Sequence, residues 1–283
     1  MFNYGILNYT LIFRQFYSSY TKRAKKSFKK EYRNKVNDET SNNFKTAKFG
    51  SDFYGVPCIE LAKKLLGQTL VRRLDHERRL KCRIVETEAY LGGEDKAAHS
   101  NATNRPTKKT NSCFMNPGTA CVTSIYGVHL MLSISSLENG ASVLLRAAEP
   151  ISGAMEMKRQ RALRFQNNIS NPLSTIRDLR LHRLCAGPAK LTRALIIGSE
   201  FDGNDLTTSN KLWLEEGPEI VAESQIVECP RVGLSISAGE WAEKPLRYYI
   251  LGHTSVSQRH KDCEKKLLIA SGVLSEDGKL FLE

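Results

Sequence analysis

The sequence predicts an α+β fold: a single mixed domain with a curved antiparallel sheet, a protruding β-hairpin and surrounding helices. Short stretches of strand-like alternation, joined by polar or glycine turns, fill residues 68–150. Helical patterning takes over after Pro150, and strand patterning returns near Lys211. No internal repeat or low-complexity block interrupts this body, so strands and helices are segregated rather than alternating.

The elements follow in order. "PCIELAKKLLG" (57–67) is a short helix, with Pro57 suited to a first turn, Ile59, Leu61, Leu65 and Leu66 forming an apolar stripe, and Gly67 placed to end it. "QTLVRRL" and "KCRIVETEAY" flank the polar turn "DHERR" and read as a hairpin. "GTACVTSIYGVHLMLSISS" (118–136) reads as two strands meeting near Gly127, and "SVLLRAAEP" (142–150) as another. "ISGAMEMKRQRALR", "PLSTIRDLRLHRL" and "GPAKLTRALII" are expected helices, whereas "KLWLEE", "CPRVGLS" and "KPLRYYIL" are expected strands.

Composition bounds the function. A chain of 283 residues with 41% hydrophobic content can bury a full core. No apolar run approaches the roughly eighteen residues that a membrane-spanning helix needs, and no membrane partner is expected. The seven cysteines are odd in number, scattered and never spaced C-x-x-C, which points to reduced, mostly buried thiols.

The net charge of +12 is unevenly spread. Residues 1–50 hold eleven Lys/Arg against three acids, residues 155–193 nine against two, and residues 194–283 nine against fifteen. A basic stripe opposite an acidic end suits a protein that docks one face on phosphates, although a solvated helix face explains it equally well. The first thirty residues lack Asp and Glu altogether. They fit an organelle presequence, a nuclear address or a disordered arm tracking nucleic acid, so mitochondrion, nucleus or both are the expected sites. The expected division is a basic leader at 1–48, a folded domain at 49–252, and a partly helical C-terminal extension at 253–283.

The stretch "ETEAYLGGEDKAAHS" (86–100) concentrates the chemistry. Period-two alternation puts Val85, Thr87 and Ala89 on one strand face and Ile84, Glu86, Glu88 and Tyr90 on the other. Two carboxylates and a phenol on a central strand must meet partners or line a cleft, because burying them alone is costly. Partial burial also lifts a carboxylate toward the range of a general base. Ion pairing with the abundant arginines is the plainer alternative. Glu94, Asp95 and His99 lack the spacing of familiar metal sites. Glu86 and Glu88, roughly 7 Å apart at alternate strand positions, allow a glycosidase-like pair, but the chain lacks the aromatic richness of a sugar cleft. It also lacks a nucleophile elbow, a phosphate-binding glycine loop and a dinucleotide fingerprint.

"CRIVETEAYLGGEDKAAHS", "FMNPGT", "IYGVHLMLSISS", "GASVLLRAAEP", "LCAGPAKL", "PRVGL" and "AGEWAEKPLRYYI" resemble, in the same order, the alkyladenine (3-methyladenine) DNA glycosylase family. The resemblance runs from about residue 50 to residue 252. It implies a monomer that bends double-stranded DNA, extrudes a damaged purine and hydrolyses its N-glycosidic bond without metal or cofactor, leaving an abasic site. By the same resemblance Glu88 is the general base, and Arg146 and the backbone carbonyl of Val232 position it and its water. Tyr90 and His99 are pocket walls, where stacking is worth about 1–3 kcal/mol per base. Tyr126 is the wedge that enters the minor groove. The basic stripe, with Arg177, Arg180, Arg183 and Lys190, meets phosphates. A catalytically weak lesion binder of the same fold is the alternative.

Three departures from the family pattern matter. Thr123 stands where a second pocket aromatic is usual, and Ser133 where an asparagine crowds the exocyclic amine of guanine. Both changes widen the expected pocket. "RVGLSISAGE" is one residue longer than the usual pattern, which leaves the loop after Val232 open.

Overall fold

The computed structural model describes residues 47–100, 105–163 and 179–277, and its sheet is built around β2 (Arg79–Tyr90). β1 (Thr69–Arg73) reaches β2 through the polar turn, where Asp75 Oδ1 accepts the amides of Glu77 and Arg78 at 3.1 and 2.8 Å. The short acidic side chain thus replaces missing backbone partners in the turn. β3 (Ala120–Ile125), β4 (His129–Ser135), β5 (Ser142–Ser152), β6 (Leu212–Glu215), β7 (Ile226–Cys229) and β8 (Arg247–Ile250) complete an eight-stranded sheet. Its order is β3-β4-β5-β2-β1-β6, with β8 also on β2 and β7 on β8, and these pairings are antiparallel. Together with its helices this is the α+β architecture expected.

β2 is central because it changes partner along its length. Its first half pairs with β1, and Glu86–Glu88 pair with β8, while β5 runs along the other edge. No edge of that segment remains for water, so its side chains must find their partners within the protein.

Helices cover the sheet. α1 (Ser51–Tyr54) leads into α2 (Cys58–Lys64), whose N-cap Pro57 brings no side-chain acceptor. Glu138 supplies one from a distant loop, taking the Cys58 amide on both oxygens at 3.2 and 3.0 Å. A carboxylate there also suits the helix dipole. α3 (Ala154–Ala162) and α4 (Pro188–Ala194) follow, and α5 (Lys261–Ala270) packs against β7. The core joins Leu61 and Leu65 of the α2 region to Ile84, Leu132, Ile134, Leu145 and Leu191, with each such side chain contributing about 1.5–3 kcal/mol of burial. Six of the seven free cysteines are buried and Cys263 is half-buried.

Three expectations are corrected. "CPRVGLS" is not a strand: β7 ends at Cys229, and Pro230, with no amide to give a ladder, opens a loop instead. Of "PLSTIRDLRLHRL", residues up to 178 lie outside the described part, and the remainder holds only a 3-10 turn at Leu181–Arg183 after an extended Arg180. α4 stops before "LII", where Ile196 adopts a left-handed φ of 54° that a helix cannot continue through.

The hairpin between β3 and β4 turns at Tyr126 (φ 54°) and Gly127 (φ 69°), with the Val128 amide returning to Ile125 O at 3.3 Å. Two consecutive positive φ values match the twist of a tight hairpin. Glycine accepts this freely, whereas tyrosine is strained there, and Tyr126 is also 92% exposed.

Candidate active site

Two opposed irregularities in the β2–β5 ladder create the site. Ile84 pairs with Ala148 and Glu86 with Ala147, so Val85 is extra on β2. Thr87 then pairs with Leu145, so Arg146 is extra on β5. The second bulge cancels the first and restores the register. Bulges re-aim side chains, and this one places the Arg146 guanidinium between two carboxylates of the neighbouring strand. The strict alternation expected from Ile84 is therefore interrupted at Val85. From Glu86 onward it holds: Glu86 and Glu88 both reach Arg146, while the Thr87 hydroxyl donates to Ala62 O of α2 at 2.8 Å.

Glu88 is fully buried. Its Oε1 accepts the Val232 amide at 2.8 Å and lies 3.3 Å from Arg146 Nη1, and its Oε2 accepts the Tyr90 hydroxyl at 2.9 Å. Burial nevertheless wins: desolvation raises its pKa above the ordinary 4.5, against the opposing pull of Arg146, the Val232 amide and Tyr90. Desolvation and then the Glu88 charge push the Tyr90 phenol well above its usual value. Arg146 is raised because Glu88 and Glu86 outweigh its own desolvation. A carboxylate held this way is ionisable, aimed and poised above its solution pKa, as a general base must be.

Glu86 differs. Its Oε1 accepts from Arg146 Nε at 3.0 Å, Arg247 Nη1 at 2.9 Å and Ser257 Oγ at 2.9 Å, while Oε2 takes the Ser257 amide at 2.7 Å. Every one of these partners donates, so Glu86 is the ion-pair residue that sequence reasoning left open, and it has little capacity left for chemistry. Two carboxylates and two guanidiniums, all inside the protein, balance in charge.

Asp95 and Arg231 hold the loops around Glu88. Arg231 Nη1 and Nη2 grip the two oxygens of Asp95 at 2.6 and 2.8 Å, and both side chains are fully buried. Asp95 is thereby committed to a fork-to-fork pair rather than to a metal. The same guanidinium lies 4.6 Å from the Tyr90 ring centroid and backs one ring face. Arg247 Nε meanwhile binds Pro230 O at 2.9 Å. The chain entering Val232 is thus anchored at two successive residues, Pro230 by Arg247 and Arg231 by Asp95.

The other expected pocket residues follow from the register. Glu88 pairs with Leu144, Leu144 with Ser133, and Ser133 with Cys121, so all four share one sheet face. Thr123, two residues beyond Cys121, joins that face. Ser133 is buried and Thr123 half-buried, two and three strands from Glu88. His99 is exposed, on a loop held by Asp95 at one end and by Ser100 Oγ donating to Gly140 O at 2.6 Å at the other. Gly92 (φ 64°) permits the closure, since a Cβ there would sit 2.8 Å from the Gly140 carbonyl carbon. Among the described residues no hydrogen bond joins His99 to Glu88 or Tyr90.

Arg177 lies outside the described residues. Arg180, Arg183 and Lys190 are exposed, and the Lys190 pKa is lowered by desolvation and then by the nearby Arg161 and Arg183. Lys190, Arg183 and Arg161 therefore crowd one surface. No group of three or more His, Cys, Asp or Glu among the described residues is arranged to hold a metal.

Sequence reasoning missed Asp95–Arg231, Arg247 and Ser257. Arg231 does stand beside Val232, but nothing local announces its partner.

A family model described as Methylpurine-DNA glycosylase (MPG) matches residues 52–254. The DNA-3-methyladenine glycosylase of Homo sapiens is 45% identical over 210 residues, covering 74% of this chain and 68% of the human protein. The mouse (Mus musculus) protein of the same name is 43% identical over 213 residues, but the match spans only 62% of its length. A probable DNA-3-methyladenine glycosylase of Encephalitozoon cuniculi is 44% identical over 204 residues, covering 72% of this chain and 89% of that protein. A match of this extent, over the residues that build the Glu88 site, makes the chain a member of the methylpurine-DNA glycosylase family.

Proposed function

We infer that this protein is a monofunctional DNA-3-methyladenine glycosylase of base-excision repair, hydrolysing the N-glycosidic bond of alkylated purines in DNA and leaving an abasic site. One observation supports it above the others: Glu88 is buried, ion-paired, bonded to the Val232 amide and raised in pKa. In this reading ionised Glu88 takes a proton from water as that water attacks the anomeric carbon, and the purine leaves with the bonding electrons. Arg146 fixes Glu88 and offsets its charge. The Val232 carbonyl holds the water.

Base flipping supplies the substrate, because a stacked base cannot reach a buried carboxylate. Tyr126, strained and exposed at the hairpin tip, fills the gap left in the duplex. Tyr90, backed by Arg231 on one face, presents the other to the base, and His99 closes the opposite side. Arg180, Arg183 and Lys190 bind phosphates, which would relieve the crowding of like charges there. The leader directs the chain to nucleus, mitochondrion or both, and the enzyme acts as a monomer.

The test is incubation of purified protein with duplex DNA carrying one 7-methylguanine, followed by alkaline cleavage at abasic sites. Strand breaks at the lesion only after alkali support the reading. Lesion binding without breaks would instead support a binder, and breaks without alkali would show a lyase.

A further inference from the structure

Ser257 lies three residues past the span matched by the family model, yet it touches the centre of the site. Its hydroxyl donates to Glu86 Oε1 at 2.9 Å and accepts from Arg146 Nη2 at 3.2 Å, and its amide donates to Glu86 Oε2 at 2.7 Å. The next residue, Gln258, gives its carbonyl to Arg247 Nη1 at 2.7 Å.

This segment is itself anchored. Arg259 grips the Glu264 carboxylate, with Nε at 2.7 Å and Nη2 at 2.5 Å. Glu264, on α5, is buried and also accepts the Tyr249 hydroxyl at 3.0 Å, and that hydroxyl takes the His260 amide at 2.9 Å. A rigid strap thus runs from α5 to the ion pair.

We propose that Ser257 is a positioning residue for catalysis, acting through Arg146 on Glu88. Arg146 has three nitrogens in contact: Nε on Glu86, Nη2 on Ser257 and Nη1 on Glu88. The first two contacts fix the plane of the guanidinium, and a planar fork held at two corners can aim only one way at the third. Deleting the Ser257 hydroxyl leaves Nη2 without that partner while the backbone amide still holds Glu86. Arg146 then gains freedom to rotate about its Nε contact, and its hold on Glu88 weakens.

The inference rests on Glu88 as the base, and it carries a signature that a structural role lacks. Glu88 is faced by Arg146 from β5, the Val232 amide from the 230–235 loop, Tyr90 and Glu86 from its own strand, and Arg247 from its cross-strand position on β8. Loosening Arg146 removes the strongest pull that keeps Glu88 ionised. The acid limb of the rate profile should therefore move to higher pH.

The experiment compares wild type, Ser257→Ala and Ser257→Thr on 7-methylguanine duplex, measuring single-turnover rate from acid to neutral pH, lesion binding and thermal midpoint. Ser257→Ala is expected to lose at least roughly tenfold in rate, the scale on which slight misplacement of a reacting group acts. Its acid limb should rise and lesion binding should change little, while the lost bonds to Glu86 and Arg146 lower the midpoint modestly and leave the protein folded throughout the assay. Ser257→Thr, which keeps the hydroxyl, should stay close to wild type. An unmoved limb, or equal losses in both variants, would overturn the proposal. Absence of excision by wild type in the same assay would refute the glycosylase reading itself.

Discussion

Arg146 Nη1 lies 3.3 Å from Glu88 Oε1, and Arg146 reaches that position because it is the bulged residue of β5. A regular ladder would pair it with a β2 residue. The irregularity is what lets one guanidinium bridge Glu86 and Glu88.

The first prediction concerns pH and stability together. Because the folded pKa of Glu88 is raised, the native state holds a proton more tightly than the unfolded chain. Stability from this group is full at low pH and is lost as pH rises from the unfolded value through the folded pKa. Glu88→Gln removes that loss. Its amide oxygen can face Val232 and Arg146 while its NH2 donates to the Tyr90 oxygen. At neutral pH the thermal midpoint of Glu88→Gln should equal or exceed that of wild type, and the gap should close on acidification. Thermal scans at several pH values check this; a variant less stable than wild type at neutral pH contradicts it.

Asp95→Ala should behave in the opposite way. It strands the Arg231 charge among fully buried groups, at a cost of about 3–5 kcal/mol. Denaturant titration measures the loss. Because Arg231 also backs Tyr90 and precedes Val232, lesion binding should weaken as well.

The basic surface gives a third outcome. Replacing Arg180, Arg183 and Lys190 together by Gln should weaken binding to damaged and undamaged duplex alike and reduce the steepness of the salt dependence. The ratio of the two affinities should barely change. An unaltered slope would show that this surface faces away from DNA.

The pocket gives the fourth. Ser133 shares the sheet face of Glu88 and carries only a short side chain, and Thr123 offers no ring for stacking. Cationic alkylpurines, whose glycosidic bond is already weakened by the ring charge, should be favoured over neutral ethenoadenine or hypoxanthine, with guanine lesions tolerated. Thr123→Tyr should raise excision of the neutral bases, and Ser133→Asn should depress that of 7-methylguanine. Single-turnover rates on the three lesions decide it, and unmoved ratios would contradict the pocket assignment.

How much of this was legible varies with the range of the interaction. The hairpin at Tyr126–Gly127 and the β1–β2 turn are local, and the sequence shows them directly. The α2 stripe was only partly legible, since Leu61, Leu65 and Leu66 are buried but Ile59 is exposed and the helix ends at Lys64 rather than at Gly67. Alternation brought Glu86, Glu88 and Tyr90 together but could not divide their roles, because Arg247 and Ser257 arrive from more than 160 residues away. The opposed bulges at Val85 and Arg146 have no sequence signature, since neither position carries a glycine. Pro230 did signal the end of a strand, but its apolar neighbours read as the strand's continuation.

The most direct measurement is single-turnover excision of 7-methylguanine from duplex DNA by wild type, Glu88→Gln and Glu86→Gln, with lesion affinity and thermal midpoint measured beside it. Wild type should excise. Glu88→Gln should bind the lesion and stay folded yet lose at least about a hundredfold in rate, as expected when a general base is removed. Glu86→Gln should lose stability along with its rate, since its new NH2 must face a site built of donors. Excision by Glu88→Gln at the wild-type rate would contradict the assignment of Glu88 as the base.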